Sequence, residues 1–428
     1  MLIIHHQLYK SQAKELCDIR KQNLSIYMKE IDSTISYNSI KKYIIEHLNL
    51  VEYVCLIGNE KEVRPLYLPI KNTGGNSETA ASDLSFGIFE NEIKLMIGRI
   101  TSGEAKTDQE RKSNVQNQID KIRTYQEIYD SAECPNWINN IMGIGSGEGG
   151  GWDGLGLLDE NGEPMADRDF IRQELLLFKN INYDIKGYFD PYDNYRSQPS
   201  GSELVGQGFS DGSSLVCYVG HGTEEAITTS NFSVNDVNNL NENSENGMYP
   251  FCIFVACSVG SFDENEISLT ESLQIKKRGG SICSCGSTIL QEWLPPMHAL
   301  KIMLETVRTY VANNTNERKE HITCGQIFYK GVKEMYDVKS KAVDRNGALT
   351  WCFMGDPSTP FNTPCRPTLN NLEKSSSTEQ FNNLQNEQEN EITSSPKMSR
   401  YLLAGAAVMY LAMMSAVYIA HRKKVKKK

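Results

Sequence analysis

Short apolar runs alternate with longer amphipathic stretches over roughly the first 360 residues. VEYVCLIG (51–58), EIKLMIGRI (92–100), NNIMGIGS (139–146), YDIKGYFD (183–190), SLVCYVGHG (214–222), FCIFVACSVG (251–260) and GSICSCGST (280–288) are too short for helices. Apolar and β-branched residues dominate most of them, and most run into glycine or polar residues, so they predict buried strands. Between them, 8–23, 39–48, 108–130, 170–180, 264–278, 297–312 and 325–337 carry apolar positions at helical spacing. In 108–130, Val115, Ile119, Ile122, Ile128 and Tyr129 share one side. Buried strands alternating with helices predict an α/β/α sandwich with a mostly parallel sheet. Strand spacings of about 30–40 residues suit crossover connections. No fixed-period repeat is present.

The pattern divides the chain. Residues 1–130 and 131–365 read as two consecutive α/β subdomains. Residues 366–399 are rich in Asn, Glu, Gln and Ser, lack apolar periodicity and read as a flexible stalk. YLLAGAAVMYLAMMSAVYIA (401–420) is uncharged, and at 1.5 Å per residue it covers about 30 Å, the thickness of a bilayer's hydrocarbon core. A transmembrane helix over 400–421 and a basic tail over 422–428 are therefore expected; a buried core helix is the weaker alternative.

Charge sharpens this division. The 428 residues carry a net charge of −10, while residues 400–428 hold seven Lys and Arg and no acid, leaving −17 for the rest. An acidic body argues against a nucleic-acid partner. The positive-inside rule puts the basic tail in the cytosol and the body in a lumen or outside the cell. No basic n-region or cleavage site is legible in MLIIHHQLYK, so either the sequence starts downstream of a leader or the body is cytosolic and tail-anchored. Sequons at Asn23, Asn231 and Asn313 fit a lumenal body. Lys424 and Lys426 match a dilysine retrieval spacing weakly in so basic a tail. Eleven cysteines, an odd number, leave at least one thiol unpaired, and no Cys/His pair has zinc spacing.

Chemistry concentrates at two strand ends. Of seven histidines, His5, His6 and His421 are near the termini, and His47, His298 and His321 fall in expected helices. His221, in GHG, follows the strand SLVCYV directly. Cys257 ends the apolar run FCIFVA 36 residues later, room for one crossover. Neighbouring parallel strands would put the two side by side at the carboxyl edge of the sheet, where ligands gather. A cysteine beside a histidine is the arrangement of a thiolate nucleophile and its acid–base partner. Chance pairing of one His and one Cys at strand ends is the competing reading.

The words around these residues carry a resemblance. GHGT, FVACSVGSFD, GGSICSCGSTILQEWLPPM and FMGDPS, in that order, resemble the catalytic region of the gingipain family of cysteine peptidases, in the caspase-like group. YVCLIG, MIGRI and SGEGG extend the resemblance over roughly residues 1–365, and the block from Ser287 to Met297, with QEWLPPM, is its most specific stretch. It implies a caspase-like fold and a cysteine endopeptidase acting on protein or peptide substrates. It implies His221 as acid–base, Cys257 as nucleophile, and the backbone amides of Gly222 and Cys257 as oxyanion hole. Glu148, in GEGG, matches the acid that orients the histidine, and Trp293 matches the S1-lining tryptophan. Asp167, with Asp169 as neighbour, falls nearest the S1 aspartate of arginine-specific members.

Each assignment has an alternative. Glu148 also reads as a solvated loop acid, and Trp293 as a core residue, although the LPP after it suggests an irregular surface loop. Asp167 or Asp169 also reads as the N-cap of helix 170–180, a reading slightly ahead of the S1 one. GSGEGG does not lead into a helix and is no dinucleotide fingerprint. No cofactor is implied. The acids Asp159, Glu160, Glu163, Asp167 and Asp169 could hold the Ca²⁺ that some family members bind, but they lack EF-hand spacing. Two further functions stay open: a lumenal transamidase that passes the same acyl-enzyme to an amine, and an inactive scaffold that has kept the fold.

Overall fold

The computed structural model describes residues 1–71, 77–131, 135–147, 165–189, 201–240, 247–264, 266–313, 321–337 and 342–364. The chain divides into two compact units, Met1–Cys365 and Arg366–Lys428. The expected stalk, transmembrane helix and basic tail lie outside the described residues. Among the described residues, no helix is long and apolar enough to cross a membrane.

The first unit is built on one ten-stranded sheet. Its strands are β1 (Leu2–His6), β2 (Tyr27–Ile31), β3 (Tyr53–Ile57), β4 (Met96–Ile100), β5 (Asn140–Gly145), β6 (Asp184–Phe189), β7 (Leu215–Val219), β8 (Phe251–Val255), β9 (Cys283–Ser287) and β10 (Trp351–Met354). The spatial order is β6-β5-β7-β8-β9-β10-β4-β3-β1-β2. Every neighbouring pair is parallel except β9–β10. The helices are α1 (Lys10–Arg20), α2 (Tyr37–Glu46), α3 (Asp108–Asp130), α4 (Asp167–Leu176), α5 (Gly201–Asp211), α6 (Val234–Asn239), α7 (Leu269–Ile275), α8 (Leu294–Asn313), α9 (Cys324–Asp337) and α10 (Ala342–Thr350).

Strand alternation explains the layers. In β7, Leu215, Cys217 and Val219 join the core that holds α4 and α8 residues. Val216 and Tyr218 point the other way, into the core of α5, α6 and α7. Both faces are covered, so these strands are apolar throughout, as parallel sheets require. The edge strand β2 instead alternates exposed with less exposed positions, and the edge strand β6 mixes exposed with half-buried ones.

Strands from the two halves of the sequence meet at β4 and β10, where one register pair, Arg99 with Met354, joins them. Gly98 is needed there, because a Cβ would lie 2.4 Å from the Gly355 carbonyl oxygen. Polar contacts reinforce this thin seam. The Tyr329 hydroxyl on α9 donates to Ile97 O at 2.8 Å and accepts from Ile97 N at 2.9 Å. Buried Arg20 pairs with buried Asp356 at 2.6 Å. Arg99, fully buried, forms a two-point pair with Asp83 at 2.6 Å for each contact and donates to three backbone carbonyls. Removing one partner from such a buried pair costs about 3–5 kcal/mol.

Several local expectations need correction. LIIHH, YMKEI and WCFM, absent from the expected strands, are β1, β2 and β10. The LPP after Trp293 opens α8 instead of forming an irregular loop. Proline fits a first helical turn, whose amides have no intrahelical acceptor. Neither Asp167 nor Asp169 is an N-cap: Ala166 is, and the two acids occupy the first turn of α4. His47 caps the C-terminus of α2, and His321 precedes α9 and contacts Tyr129.

Glu271, in α7, accepts from Thr101 Oγ1 at 2.8 Å and from the Ser268 N–H and hydroxyl. Burial nevertheless pushes its carboxyl up to about 7. A value above that of the unfolded chain favours the protonated folded state. The associated stability is complete below about pH 4 and is lost as pH rises through about 7. Urea unfolding across pH should therefore show wild type losing stability relative to Glu271→Gln over that window. Parallel curves for the two proteins would contradict this.

Candidate active site

The candidate site begins with a strand register. β7 and β8 are parallel neighbours with Val219 opposite Val255, and the Gly220 N–H donates to Val255 O at 3.2 Å. His221 lies two residues past Val219, and Cys257 two past Val255. With a side-chain period of two, both continue the series facing α4 and α8, on chains about 4.8 Å apart. Both are partly exposed. They line one cleft with Gly220, Ala256, Gln291, Glu292 and Trp293. The expected pair is thus brought together at the carboxyl edge.

The loop geometry follows from glycine and from a buried tyrosine. A Cβ on Gly222 would stand 2.7 Å from Cys257 O, so only glycine lets the two loops approach this closely. Tyr218, pointing to the opposite face, donates through its hydroxyl to His221 O at 2.6 Å and contacts Thr229 Oγ1 at 2.8 Å. Thr228 N adds a bond to His221 O at 3.1 Å. The backbone under the imidazole is therefore clamped from below.

After Cys257 the chain turns through Ser258, whose φ of 56° is left-handed and strained for a non-glycine residue. The next amides are engaged: Ser258 N–H reaches Ile289 O at 3.0 Å, and Gly260 N–H reaches Ser287 O at 2.9 Å. Among the described residues, no protein acceptor takes the amide hydrogens of Gly222 or Cys257. Those two N–H groups, the expected oxyanion donors, remain available to a ligand. Burial raises the Cys257 thiol above its ordinary value, the Gln291 backbone N–H opposes this, and Glu224 adds a smaller push upward.

The remaining site residues arrive from helix N-termini. α4 follows β5 and α8 follows β9, so both start at the carboxyl edge. Trp293 immediately precedes α8, and its ring meets the His221 ring edge-on at 5.1 Å between centroids. Its indole Nε1 donates to Asp167 Oδ1 at 2.8 Å. Asp167 is fully buried and also accepts from Ser146 Oγ. Asp167, Trp293 and His221 thus form one contiguous set. Asp169 is instead solvent-facing, 3.9 Å from Arg172. Glu148 lies outside the described residues, as do Asp159, Glu160 and Glu163 of the suggested calcium stretch. Among the described residues, no cluster of three or more His, Cys, Asp or Glu has the geometry for a metal ion.

Sequence reasoning did not anticipate Tyr218, Ser146 or Gln291. Tyr218 looks like any core aromatic inside an apolar run. Gln291 lies in QEWLPPM, where its residue type alone points to no role. The sequence offers no sign that its side chain would be buried at the cleft.

A family model described as Peptidase family C25 matches residues 1–362. Curated relatives include gingipain R2 and gingipain R1 of Porphyromonas gingivalis, each 27% identical over 371 residues, or 84% of this chain. The match covers 45% and 34% of those two proteins, so the chain spans less than half their length. The crystal structure of the Arg specific cysteine proteinase gingipain R aligns with a TM-score of 0.67 at 26% identity, covering 85% of this chain and 78% of that one. The complex of Porphyromonas gingivalis RgpB pro- and mature domains aligns with a TM-score of 0.66 at 25% identity, covering 85% and 80%.

The raised thiol has a kinetic consequence. Alkylation of Cys257 by iodoacetamide, followed by peptide mass spectrometry, should accelerate with pH through about 9, because only the thiolate reacts. A rate that levels off below about pH 7 would instead reveal a thiolate held by an imidazolium in the resting protein.

Proposed function

The chain belongs to peptidase family C25, the gingipain family of cysteine peptidases, and from this we propose that it is a cysteine endopeptidase with Cys257 as nucleophile and His221 as acid–base. The observation that supports the proposal is the β7–β8 register, which ends two residues before His221 on one strand and two before Cys257 on the other, beside two amides that no protein acceptor takes among the described residues. Cys257 Sγ attacks the scissile carbonyl carbon, and its proton passes to His221. The carbonyl oxygen gains negative charge and is held by the Gly222 and Cys257 N–H groups. His221 then returns the proton to the leaving amine as the C–N bond breaks, leaving a thioester. Water adds to the thioester, its hydroxyl joining the acyl group and its proton restoring the thiol. Tyr218 is a positioning residue, because it holds the His221 backbone and touches no reacting atom.

We further propose that the enzyme prefers a basic residue at P1. The support is the Asp167 carboxylate, buried directly behind the cleft wall at Trp293. The related gingipain R is described as Arg specific, which agrees with this reading. Apposition to a guanidinium would let the buried carboxylate make charge-assisted bonds.

Anchoring is proposed on the sequence: the apolar segment 401–420 would span a membrane, with the body lumenal or extracellular and the basic tail cytosolic. The sequon residues Asn23, Asn231 and Asn313 are all exposed, which suits that topology.

Two experiments test these proposals. Fluorogenic peptides varying P1 among Arg, Lys, Asn, Asp and Leu should be cleaved by wild type, best at Arg or Lys, and not by Cys257→Ala. Asp167→Asn should lower kcat/KM for the basic substrates by roughly 30- to 1,000-fold, the range for removing one partner of a buried charge pair. Preferred cleavage after Leu would end the basic-P1 reading. In cells, the full chain should resist alkaline carbonate extraction and shift in mobility with endoglycosidase. Carbonate release would contradict the anchor, and an anchored chain without glycans would favour a cytosolic body.

A further inference from the structure

The wall of the cleft contains a polar group with no partner. Gln291 is only 8% exposed, and both its Oε1 and its Nε2 are buried with no hydrogen-bond partner among the described residues. Among the cleft-lining residues it is the one with orphaned side-chain atoms. Its own backbone N–H faces the Cys257 sulfur, which fixes the residue beside the nucleophile. Buried carboxamides are almost always hydrogen-bonded, and an exception calls for a missing partner.

The chemistry of the group restricts that partner. A carboxamide presents one acceptor and one two-hydrogen donor side by side. A guanidinium offers donors only and would leave Nε2 unmet, while a carboxylate offers acceptors only and would leave Oε1 unmet. The N–H and C=O of a single extended residue point the same way, as in the two-bond pairs of an antiparallel ladder. An extended backbone residue therefore meets both halves of the carboxamide at once, whatever its side chain.

We propose that the Gln291 side chain is a substrate-binding group that grips one extended substrate residue. Its Oε1 accepts that residue's N–H, and its Nε2 donates to the same residue's C=O. The proposal rests on the endopeptidase reading and adds a grip that does not depend on side-chain identity. It also accounts for an unsatisfied amide in the resting protein, since stability is given up where a ligand completes the bonds.

The test compares wild type with Gln291→Leu in inhibition by a tetrapeptide aldehyde bearing the preferred P1 residue. Three analogues each carry one N-methyl group, at P1, P2 or P3. One analogue should bind wild type about 5- to 100-fold more weakly than the parent aldehyde, the range for leaving a buried polar group unpaired. In Gln291→Leu that same methylation should add no further loss, while the parent aldehyde itself binds more weakly. The Tm of Gln291→Leu should equal or exceed that of wild type, because an orphaned amide has been removed. Gln291→Met serves if the Leu variant fails to fold. Equal sensitivity to methylation in wild type and variant at every position would overturn the proposal, as would a lowered Tm in both variants. An aldehyde that does not inhibit wild type would overturn the endopeptidase reading, and the proposal with it.

Discussion

Everything at the candidate site depends on the ladder between β7 and β8. Five consecutive pairs, from Leu215 with Phe251 to Val219 with Val255, fix a constant offset of 36 residues. That offset is the separation of His221 from Cys257. A slip of one residue would turn every side chain of one strand to the other face. Apolar cores on both faces of these strands make such a slip costly, so burial far from the cleft holds the chemistry in place. His221 and Cys257 are positioned by the two strands that precede them.

The surrounding devices refine that placement. Gly222 lets the histidine loop approach the cysteine loop, and Tyr218 reaches through from the opposite face to hold the His221 carbonyl. Ser258 turns the chain in a left-handed conformation while the loop's next amides are engaged elsewhere, and the Cys257 N–H has no protein acceptor among the described residues. Trp293 links His221 to the buried carboxylate of Asp167. The sheet also reverses direction once, between β9 and β10, so the carboxyl ends of β1 to β4 lie at the opposite edge. Within the first unit, the early strands thus meet the later ones across a seam that the buried Arg20–Asp356 pair and the Tyr329 bonds to Ile97 bridge, instead of adding to the edge that carries the candidate site.

Much of this was legible in the sequence because parallel strands buried on both faces read as unbroken apolar runs. VCLIG, MIGRI, IMGIG, LVCYV and FCIFV stand out for that reason, and the 108–130 helix shows its apolar face directly. What escaped had specific causes. β1 ends in two histidines that look polar, yet His5 Nδ1 contacts His6 O and His6 Nε2 contacts Ser33 Oγ, so both are buried. β2 is an edge strand with Lys29 and Glu30 among its five residues, and β10 is four residues long. LPP looked like a loop because proline breaks helices in their interior, although it is at home in their first turn. Asp167 looked like a cap because aspartate favours caps. Its burial against Trp293 and Ser146 is tertiary and leaves no local trace, and the same holds for the orphaned amide of Gln291.

The central claim is that Cys257 is a nucleophile activated by its place opposite His221. Its most direct measurement is intact-mass and peptide mapping of the protein after exposure to a peptidyl acyloxymethyl ketone, for wild type and His221→Ala side by side. The account predicts a single adduct on Cys257 in wild type and a strongly slowed reaction in His221→Ala, with the buried cysteines unmodified. An unlabelled Cys257 in folded wild-type protein, or equal labelling of both proteins, would contradict it.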